Sequence, residues 1–570
     1  MAAAAVCLLA CALAAAALLS AAPAAVGKSK AAERPNVVVV MSDDQTADSM
    51  RFMPHVNSQV GAAGATFAQS FVNYSLCCPS RSTFLTGQYA HNHGVMSNNE
   101  DDGGYQSLDN SNTLAVWLQQ AGYYTGHIGK YLNGYEDVPN TIPPGWTEWH
   151  GSTRTYQYYG YQLNENGTLV DYGTTADQYS TDVYTQKAVD FVNRRAPESQ
   201  PFFLWVAYLA PHGGGPNPSP QPGPDDCQGT AKPAPRHATA FDDEPLPQPP
   251  SFNEADVSDK PQTVQDDPLL DDTDIANVQR RYRCRLESLL AVDEGVDSIV
   301  AALRDRGELD NTLFVYTSDN GFMHGEHRDR NGKIVLYEPS IRVPLEIRGP
   351  GIPEGVTVDD MTINADLAPT ILDATGATPA RVMDGQSLFG AMNDPDRLTG
   401  RALLIETQTY SAVRTQRYLY AEYATGEKEL YDLQNDPDEL QSLQNDPAYD
   451  QVEASLVNLL NGLRACSGPS CRPKPALKLK LDYKRASVNG RRCAEGAVRV
   501  IVKGGDRGLL IGTEFAAGSK DLGSDDSAPF RVRVKPSKLK RHGKTRLGGV
   551  ATLLDGRVMS LDEKKVRRCD

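Results

Sequence analysis

The run Cys77-Cys78-Pro79-Ser80-Arg81 has the composition of an anion-binding site with a reactive group. Pro79 predicts a helix start, because proline fits the first turn, where its missing N–H is no loss. A side chain just ahead of that turn faces unpaired backbone N–H groups and the positive end of the helix dipole. Arg81 adds a rigid guanidinium suited to a tetrahedral oxyanion. For these five residues alone, two buried cysteines before an ordinary helix stay an open alternative.

Three further polar clusters follow apolar, β-branched or aromatic runs that predict core strands. The runs are residues 37–41, 202–209 and 313–317. The clusters that follow them are Asp43 with Asp44, then His212, then Asp319 with Asn320. Ligands of open α/β sheets bind at the carboxyl edge of the strands, so the three clusters together predict a site. A solvated turn is the alternative for Asp43 and Asp44 taken alone.

Helical and strand patterns alternate through the first 400 residues. Helical spacing covers 113–122, 178–194 and 278–303, and a short strand pattern covers 123–130. The alternation predicts an α/β domain with a mostly parallel sheet flanked by helices. Residues 213–263 are rich in Pro and Gly, which predicts an irregular segment that is either functional or disordered.

The last third of the chain has a different pattern. Residues 401–465 combine short strands with a helix over 449–463, which predicts a small antiparallel subdomain that completes the catalytic unit. Residues 473–570 alternate apolar and polar positions between Gly-rich turns, which predicts an appended all-β, sandwich-like module.

The 570 residues are 40% hydrophobic and 22% charged, which is typical of a globular protein. The net charge is −16, yet residues 472–570 hold 25 basic and 11 acidic residues, an excess of +14. The remaining residues therefore carry −30, and this asymmetry suggests two modules with different partners. For the basic module, a solubilising surface and docking to an anionic glycan or the cell envelope both stay open.

The longer run over residues 77–87, C-x-P-S-R-x-x-x-L-T-G, closely resembles the signature of the type I sulfatases. The resemblance extends from about Pro35 to Arg464, with the family's motifs in the family's order, and implies an alkaline-phosphatase-like catalytic domain over 35–400. The further motifs are the Asp43–Asp44 pair, Gly129-Lys130, Ala210-Pro211-His212, Ser318-Asp319-Asn320-Gly321, Gly325-Glu326-His327, Lys333-x-x-x-Tyr337-Glu338, residues 429–433 and Asp436-Pro437.

The resemblance implies that Cys77 is oxidised to Cα-formylglycine by a formylglycine-generating enzyme. It also implies one Ca²⁺ bound by Asp43, Asp44, Asp319, Asn320 and an oxygen of residue 77. Four of these residues are hard oxygen donors, which suit Ca²⁺ or Mg²⁺ and not zinc.

The mechanism that the resemblance implies is covalent catalysis on a sulfate monoester. One hydroxyl of the hydrated aldehyde, deprotonated towards Asp319, attacks sulfur, and the alcohol leaves with a proton from His212 or Lys333. The second hydroxyl then expels sulfate and regenerates the aldehyde. Arg81, Lys130 and Lys333 would offset charge on the sulfonyl oxygens.

The chain departs from many sulfatases at one position. Many sulfatases have a histidine two residues after the lysine of the G-K motif, whereas this chain has Leu132 at that position. The base for the elimination step is therefore open, with Asn133 and His127 as candidates. The G-K-Y-L-N run, with Cys-Cys-Pro-Ser-Arg and His91-Asn92-His93, resembles the N-acetylglucosamine-6-sulfatase branch. His327 fits the G-E-H motif better than His324, so His327 is added to the catalytic candidates.

The N-terminal run, residues 2–25, holds no charged side chain and predicts a cleaved secretion signal over 1–25. Leu8-Leu9-Ala10-Cys11 resembles a bacterial lipidation box, so a secreted and a cell-envelope-associated protein are both expected outcomes. Secretion argues against a nucleic-acid partner and suits disulfides, for which the spacing suggests Cys227–Cys284, Cys466–Cys471 and Cys493–Cys569, with Cys78 buried and free.

Three functions follow from these motifs. The first is a secreted sulfatase acting on a sulfated sugar such as N-acetylglucosamine 6-sulfate. The second is an arylsulfatase or a phosphonate or phosphate ester hydrolase of the same superfamily. The third is an inactive anion-binding homologue in which Cys77 is never modified.

Overall fold

A ten-stranded sheet forms the centre of the protein. The architecture comes from a computed structural model that describes residues 34–98, 103–215, 227, 229–330, 332–395 and 399–569. In spatial order the strands are Val356–Val358, Ala65–Phe67, Leu345–Arg348, Thr312–Ser318, Asn36–Ser42, Phe202–Ala207, Tyr124–Gly129, Glu148–Ser152, Gln162–Glu165 and Thr168–Asp171. The five from Thr312–Ser318 to Glu148–Ser152 are parallel, which confirms the predicted parallel core. Antiparallel strands extend the sheet on both sides.

The position of strand Asn36–Ser42 at the centre of the sheet explains why residues 37–41 are all apolar and do not alternate with polar residues. Val37 and Val39 pack into one hydrophobic core, and Val38 and Val40 pack into another on the opposite face. A strand covered on both faces must be apolar at every position. The first core is covered by helices Cys77–Thr86, Leu114–Gln120 and Leu367–Thr375, and the second by helices Ser180–Arg195 and Asp272–Asp305.

The helix Asp272–Asp305 begins six residues before the predicted start at Val278. Asp271 caps it, because its side chain accepts a hydrogen bond of 2.8 Å from the backbone N–H of Asp274. The first turn is largely exposed, so the apolar spacing that predicts the helix begins only where the helix becomes buried. Shorter helices cover Pro54–Val56, Ala90–His93, Gln262–Gln265, Glu338–Ile341 and Phe389–Asn393.

Antiparallel sheets follow in the last third, as predicted. One has four strands, Leu403–Glu406, Tyr410–Arg414, Tyr418–Tyr423 and Lys428–Asp432, and packs against helix Asp450–Arg464. A second has the order Leu477–Val488, Arg491–Gly504 and Arg531–Val534. A third has the order Lys520–Asp525, Leu510–Ala517, Thr545–Leu553 and Val558–Val566. A two-stranded pair joins Ser70–Phe71 to Thr362–Ile363.

The second and third sheets share one hydrophobic core that includes Val500, Phe515 and Leu547, as expected for an all-β region. This region also touches the preceding part of the chain. Leu554 packs against the core beneath helix Asp450–Arg464, and Thr399 forms a bridge with Met559. The division into units 35–400, 401–465 and 473–570 stays a prediction.

All three predicted disulfides are present, namely Cys227–Cys284, Cys466–Cys471 and Cys493–Cys569. Cys77 and Cys78 are buried and free, in agreement with the sequence analysis. The predicted signal over 1–25, including Cys11, lies outside the described residues. Among the described residues, none of the helices has the length and apolar character needed to cross a membrane.

Candidate active site

The helix that carries the signature begins at Cys77 itself. Leu76 is the N-cap, so Pro79 is the third helical residue and lies in the first turn, as predicted, whereas Cys77 is the first residue of that turn and not just ahead of it. Pro79 is still accommodated, because the first turn has no intrahelical use for its N–H. Gly87 ends the helix with a φ of +67°, a left-handed conformation that favours glycine. Every residue of this helix is buried.

The thiol of Cys77 points into a cluster of charged side chains. Its Sγ atom lies 3.0 Å from Nζ of Lys333 and 3.5 Å from Oδ1 of Asp43. Burial raises the pKa of this thiol to about 12, with Asp43 adding to the shift and Lys130 opposing it. An unmodified Cys77 is therefore protonated at neutral pH and is a poor nucleophile.

The carboxylates and the amide predicted as metal ligands meet at the carboxyl edge of the central strands. Oδ1 of Asp319 accepts hydrogen bonds from the backbone N–H of Asp44 at 3.0 Å and of Asn320 at 2.8 Å. The Nδ2 of Asn320 donates to Oδ1 of Asp44 at 2.6 Å. Oδ1 of Asn320 is buried and has no hydrogen-bond partner among the described residues. Asp43, Asp44, Asp319 and Asn320 are all fully or almost fully buried.

Arg81 and Lys130 neutralise part of this charge. Nε of Arg81 donates to Oδ2 of Asp319 at 2.8 Å, and its Nη2 donates to Oδ2 of Asp43 at 3.2 Å. Nζ of Lys130 also contacts Oδ2 of Asp43. Burial opposes ionisation of Asp43, but Lys130, His212 and Arg81 together hold its pKa below the usual range. Nη1 of Arg81 donates to the carbonyl of Lys130 at 2.8 Å. Because this bond holds the guanidinium in place, Arg81 is well suited to position the carboxylates that its other nitrogens contact.

Lys333 and His212 form the accessible side of the cluster. Nζ of Lys333 lies 2.6 Å from Oδ1 of Asp44, and Nε2 of His212 lies 3.6 Å from Oδ2 of Asp44. Their side chains are 16% and 18% exposed, whereas those of Asp43 and Arg81 have no exposed area. A substrate would therefore reach the cluster past these two residues.

Three histidines named in the sequence analysis lie in other surroundings. Nδ1 of His327 lies 2.6 Å from Oε2 of Glu254, and its ring packs against Tyr337. His324 packs against Tyr282 and Phe322. His127 is buried among aromatic rings, with Trp149 4.6 Å away, and burial holds its pKa well below 6.5. None of the three contacts Cys77 among the described residues, so the geometry does not favour them as catalytic groups.

Two residues that the sequence analysis did not single out adjoin the site. The ring of Tyr156 lies 5.1 Å from that of His212 and 5.3 Å from Nζ of Lys130, and its hydroxyl accepts a hydrogen bond from Asn133. Nη2 of Arg285 donates to the carbonyl of Asp44, and its guanidinium lies 3.9 Å from the Phe322 ring.

Arg285 could have been found from the sequence, but Tyr156 could not. Arg285 shares the buried helical face of Leu289, Val292 and Val296, and an arginine on such a face requires a partner. Tyr156 lies in an irregular tyrosine-rich stretch with no periodicity, so the sequence gives no signal for its position.

The residues present fit a divalent metal ion. Oxygen, sulfur and nitrogen atoms of Asp43, Asp44, Cys77 and His212 lie within 4.8 Å of one another. The unpartnered Oδ1 of Asn320 and the adjacent carboxylates supply hard oxygen donors, which is the chemistry of a Ca²⁺ or Mg²⁺ site. Burial and the charges of Asp43 and Asp44 raise the pKa of Asp319, although Arg81 and Lys130 oppose the shift, so a divalent cation would favour the ionised carboxylate.

Comparison with known families agrees with this arrangement. The sulfatase family model matches residues 35–377, and the model of the C-terminal region of N-sulphoglucosamine sulphohydrolase matches residues 325–466. The chain belongs to the sulfatase family.

Within that family the chain resembles the N-acetylglucosamine-6-sulfatase branch. The N-acetylglucosamine-6-sulfatase of Capra hircus is 32% identical over 504 residues, which cover 78% of this chain and 86% of that protein. The putative extracellular sulfatase Sulf-1 homolog of Caenorhabditis elegans is 37% identical over 361 residues, 62% of this chain and 48% of that protein. The SULF-1 homolog of Drosophila melanogaster is 34% identical over 368 residues, covering 63% of this chain and 31% of that protein. The chain thus spans less than half the length of the last two relatives.

Solved structures show the same fold. A protein in complex with its substrate D-glucosamine-2-N,6-O-disulfate is 25% identical, with a TM-score of 0.61 over 75% of this chain and 97% of that chain. The phosphonate monoester hydrolase of Agrobacterium radiobacter is 22% identical, with a TM-score of 0.60 over 76% of this chain and 96% of that chain.

Proposed function

We propose that the protein is a secreted hydrolase of sulfate monoesters, with a sulfated sugar such as N-acetylglucosamine 6-sulfate as its substrate. The observation that carries this proposal is the position of Cys77. Its Sγ atom lies at a helix start, between the ammonium of Lys333 and a carboxylate of Asp43. The names of the relatives in the N-acetylglucosamine-6-sulfatase branch and of the glucosamine disulfate complex support the substrate class.

The place of Cys77 at the start of the C-x-P-S-R signature supports its conversion to Cα-formylglycine, and its raised pKa argues against direct attack by the thiol. A protonated thiol in a buried site is a weak nucleophile, so the unmodified side chain is poorly suited to attack sulfur. The hydrated aldehyde supplies two hydroxyls, one to attack the ester and one to release sulfate. A formylglycine-generating enzyme is therefore a required partner during maturation.

Asp43, Asp44, Asp319, Asn320 and residue 77 would hold one Ca²⁺. The ion would supply positive charge beside the nucleophile and the sulfonyl oxygens. Arg81 and Lys130 keep Asp43 ionised, and Arg81 also fixes Asp319. Arg285 fixes the backbone of Asp44, which has a φ of +66°. These three cations therefore hold the ligand set in place before substrate binds.

Lys333 and His212, the two candidate proton donors, differ in charge. Burial disfavours the charge of Lys333, but the carboxylates of Asp44, Asp43 and Asp319 hold its pKa well above 10.5, so its Nζ carries a proton at neutral pH. His212 differs, because burial lowers its pKa to about 4 despite the neighbouring Asp44 and Asp43. Its Nδ1 lies 2.6 Å from the carbonyl of Gly213, which fixes Nδ1 as the donor and leaves Nε2 facing Asp44 as an acceptor. In the free protein, Lys333 is thus charged and His212 neutral, and both face Asp44 on the accessible side of the cluster.

Secretion is the proposed localisation. Three disulfides are typical of an oxidising compartment, and the relatives named extracellular sulfatases point the same way. No nucleic-acid partner is proposed, and association with the cell envelope stays an alternative to free secretion.

Two measurements test the proposal. Mass spectrometry of the peptide that holds Cys77 is expected to show the aldehyde, and an unmodified thiol in the native protein would favour the inactive anion-binding alternative. Turnover is then compared on N-acetylglucosamine 6-sulfate, a sulfated disaccharide, an aryl sulfate, a phosphate monoester and a phosphonate monoester. We expect the sulfated sugars to have the highest kcat/KM. A preference for the phosphonate or phosphate would reassign the enzyme within the superfamily.

A further inference from the structure

One face of the three-stranded C-terminal sheet carries positive charge in register. Direct cross-strand pairing places Lys478 opposite Lys503, and Arg499 opposite both Asp482 and Arg533. Lys480, Ile501 and Arg531 form a third row across the same three strands. Because paired residues of an antiparallel ladder point to the same side, these eight side chains share one face, called here the basic face.

The opposite side of the same strands is the hydrophobic core. Leu479, Val498, Val500, Val502 and Val534 alternate with the charged residues and are buried. Lys478, Lys480, Arg499, Arg531 and Arg533 are exposed, and Lys503 is half-buried. The basic face is therefore open to solvent, and its residues are held on a rigid sheet rather than on a loop.

The charge pattern of the basic face destabilises the folded sheet and does not stabilise it. Like charges directly opposite each other in a sheet are destabilising, and two of the rows contain such pairs. Among these six cations, only Arg499 forms an ion pair with another described residue, with Asp482 at 2.5 Å. A surface needed only for solubility could alternate its charges, as the Lys484–Glu495 pair does on the same hairpin. Five of the six cations thus have no ion-pair partner among the described residues, and an anionic ligand would offset their charge.

We infer that the basic face binds a sulfated polysaccharide chain, an inference that takes its partner class from the proposed function. Six cations in three rows about 7 Å apart, on strands about 5 Å apart, suit a linear polyanion held by charge. None of the eight side chains is aromatic, so the face has no platform for stacking unpaired bases. Its only apolar member is Ile501, which gives little to insert into a lipid surface. Binding there would hold the catalytic site near sulfate esters of the same chain.

The test uses the full-length protein with two matched triple variants. Lys480→Gln, Arg531→Gln and Arg533→Gln remove three charges from the basic face. Lys520→Gln, Lys538→Gln and Lys544→Gln remove three exposed charges outside the three-stranded sheet. Affinity for dextran sulfate and for uncharged dextran is measured at low salt and along a salt gradient. We expect the face variant to lose about tenfold or more in affinity for dextran sulfate, the control variant less than about twofold, and added salt to release the wild type.

Several results would overturn the inference. Equal losses in both variants would assign binding to net charge, and no loss in either would show that the face is not used. Tighter wild-type binding to phosphatidylserine vesicles or to duplex DNA than to dextran sulfate would assign the face to another partner. Lys478→Gln with Lys503→Gln provides a second variant of the same face, should the first fail to fold. Turnover on a small sulfate ester is measured in parallel, because its absence in the wild type would refute the proposed function without affecting the binding result.

Discussion

The ammonium of Lys333 lies 3.0 Å from the sulfur of Cys77, although 256 residues separate them in the sequence. The same ammonium lies 2.6 Å from Asp44, so one cation joins the proposed nucleophile position to a carboxylate of the proposed metal site. Lys333 also remains partly exposed, whereas Cys77 is fully buried. The contact therefore lies where an incoming ester would meet residue 77, and it connects two halves of the site that come from distant segments.

Cys77 and Cys78 offer a matched pair of variants. Both are buried beside each other, so changing either to Ala removes one sulfur atom from the same region and should cost a similar amount of stability. We expect Cys77→Ala to abolish turnover and Cys78→Ala to retain it within about threefold, because only Cys77 contacts the charged cluster. Thermal unfolding of both variants controls for folding. Full turnover by Cys77→Ala would rule out a nucleophile at residue 77.

The proposed metal site predicts a strict dependence of turnover on a divalent cation. Exhaustive chelation should abolish turnover, and Ca²⁺ should restore it, since the carboxylates of Asp43, Asp44 and Asp319 otherwise repel one another. Asn320→Ala removes the amide whose Oδ1 has no hydrogen-bond partner in the described part of the chain, and it should lower kcat/KM by about 100-fold and weaken the affinity for Ca²⁺. Metal analysis of the purified protein provides the direct measurement. Unchanged turnover after chelation, in protein that contains no metal, would show that the assignment is wrong.

The parts of the fold that the sequence predicted are those with a strong local pattern. The continuous apolar run from Val37 to Val40 predicted a strand that is covered on both faces. Both hydrophobic cores are present, one on each face of the strand. The clustering of Asp43, Asp44, Asp319 and Asn320 was predictable because they directly follow such strands. The ring of His127 was not predictable as buried, since its neighbours Trp149 and Trp205 come from two other strands. The setting of Tyr156 likewise depends on how an irregular segment folds back over Lys130 and His212.

The contacts of Tyr156 predict that its hydroxyl contributes to stability and its ring to turnover. Tyr156→Phe keeps the ring beside Lys130 and His212 but leaves the Nδ2 of Asn133 without its acceptor, which should cost about 1 to 3 kcal/mol of stability. We expect kcat/KM of this variant to remain within about threefold. Tyr156→Ala also removes the ring that borders both side chains and should lower kcat/KM by about tenfold or more. Equal turnover by the Ala variant and the wild type would show that the ring has no role in positioning.

The His91–Glu406 pair predicts a pH-dependent contribution to stability outside the catalytic cluster. Nδ1 of His91 lies 2.9 Å from Oε1 of Glu406. Burial lowers the pKa of His91, but the hydrogen bond and charge of Glu406 outweigh it and raise the pKa to about 8 from 6.5. A raised folded-state pKa means that the stabilisation is fully present below pH 6.5 and is lost as the pH rises through 8. Solvent reaches part of the ring, so the contribution is about 1 kcal/mol.

The difference in melting temperature between the wild type and His91→Gln measures this contribution. It should be about 1 to 2 °C at pH 6 and should vanish above about pH 9. Glu406→Gln is the matched control, because it removes the carboxylate that stabilises the imidazolium and should flatten the pH dependence while leaving His91 in place. The other histidines are common to the compared proteins, so their titrations cancel in the difference. A wild-type advantage that stays constant from pH 6 to pH 9 would show that His91 stabilises the fold through packing and not through its charge.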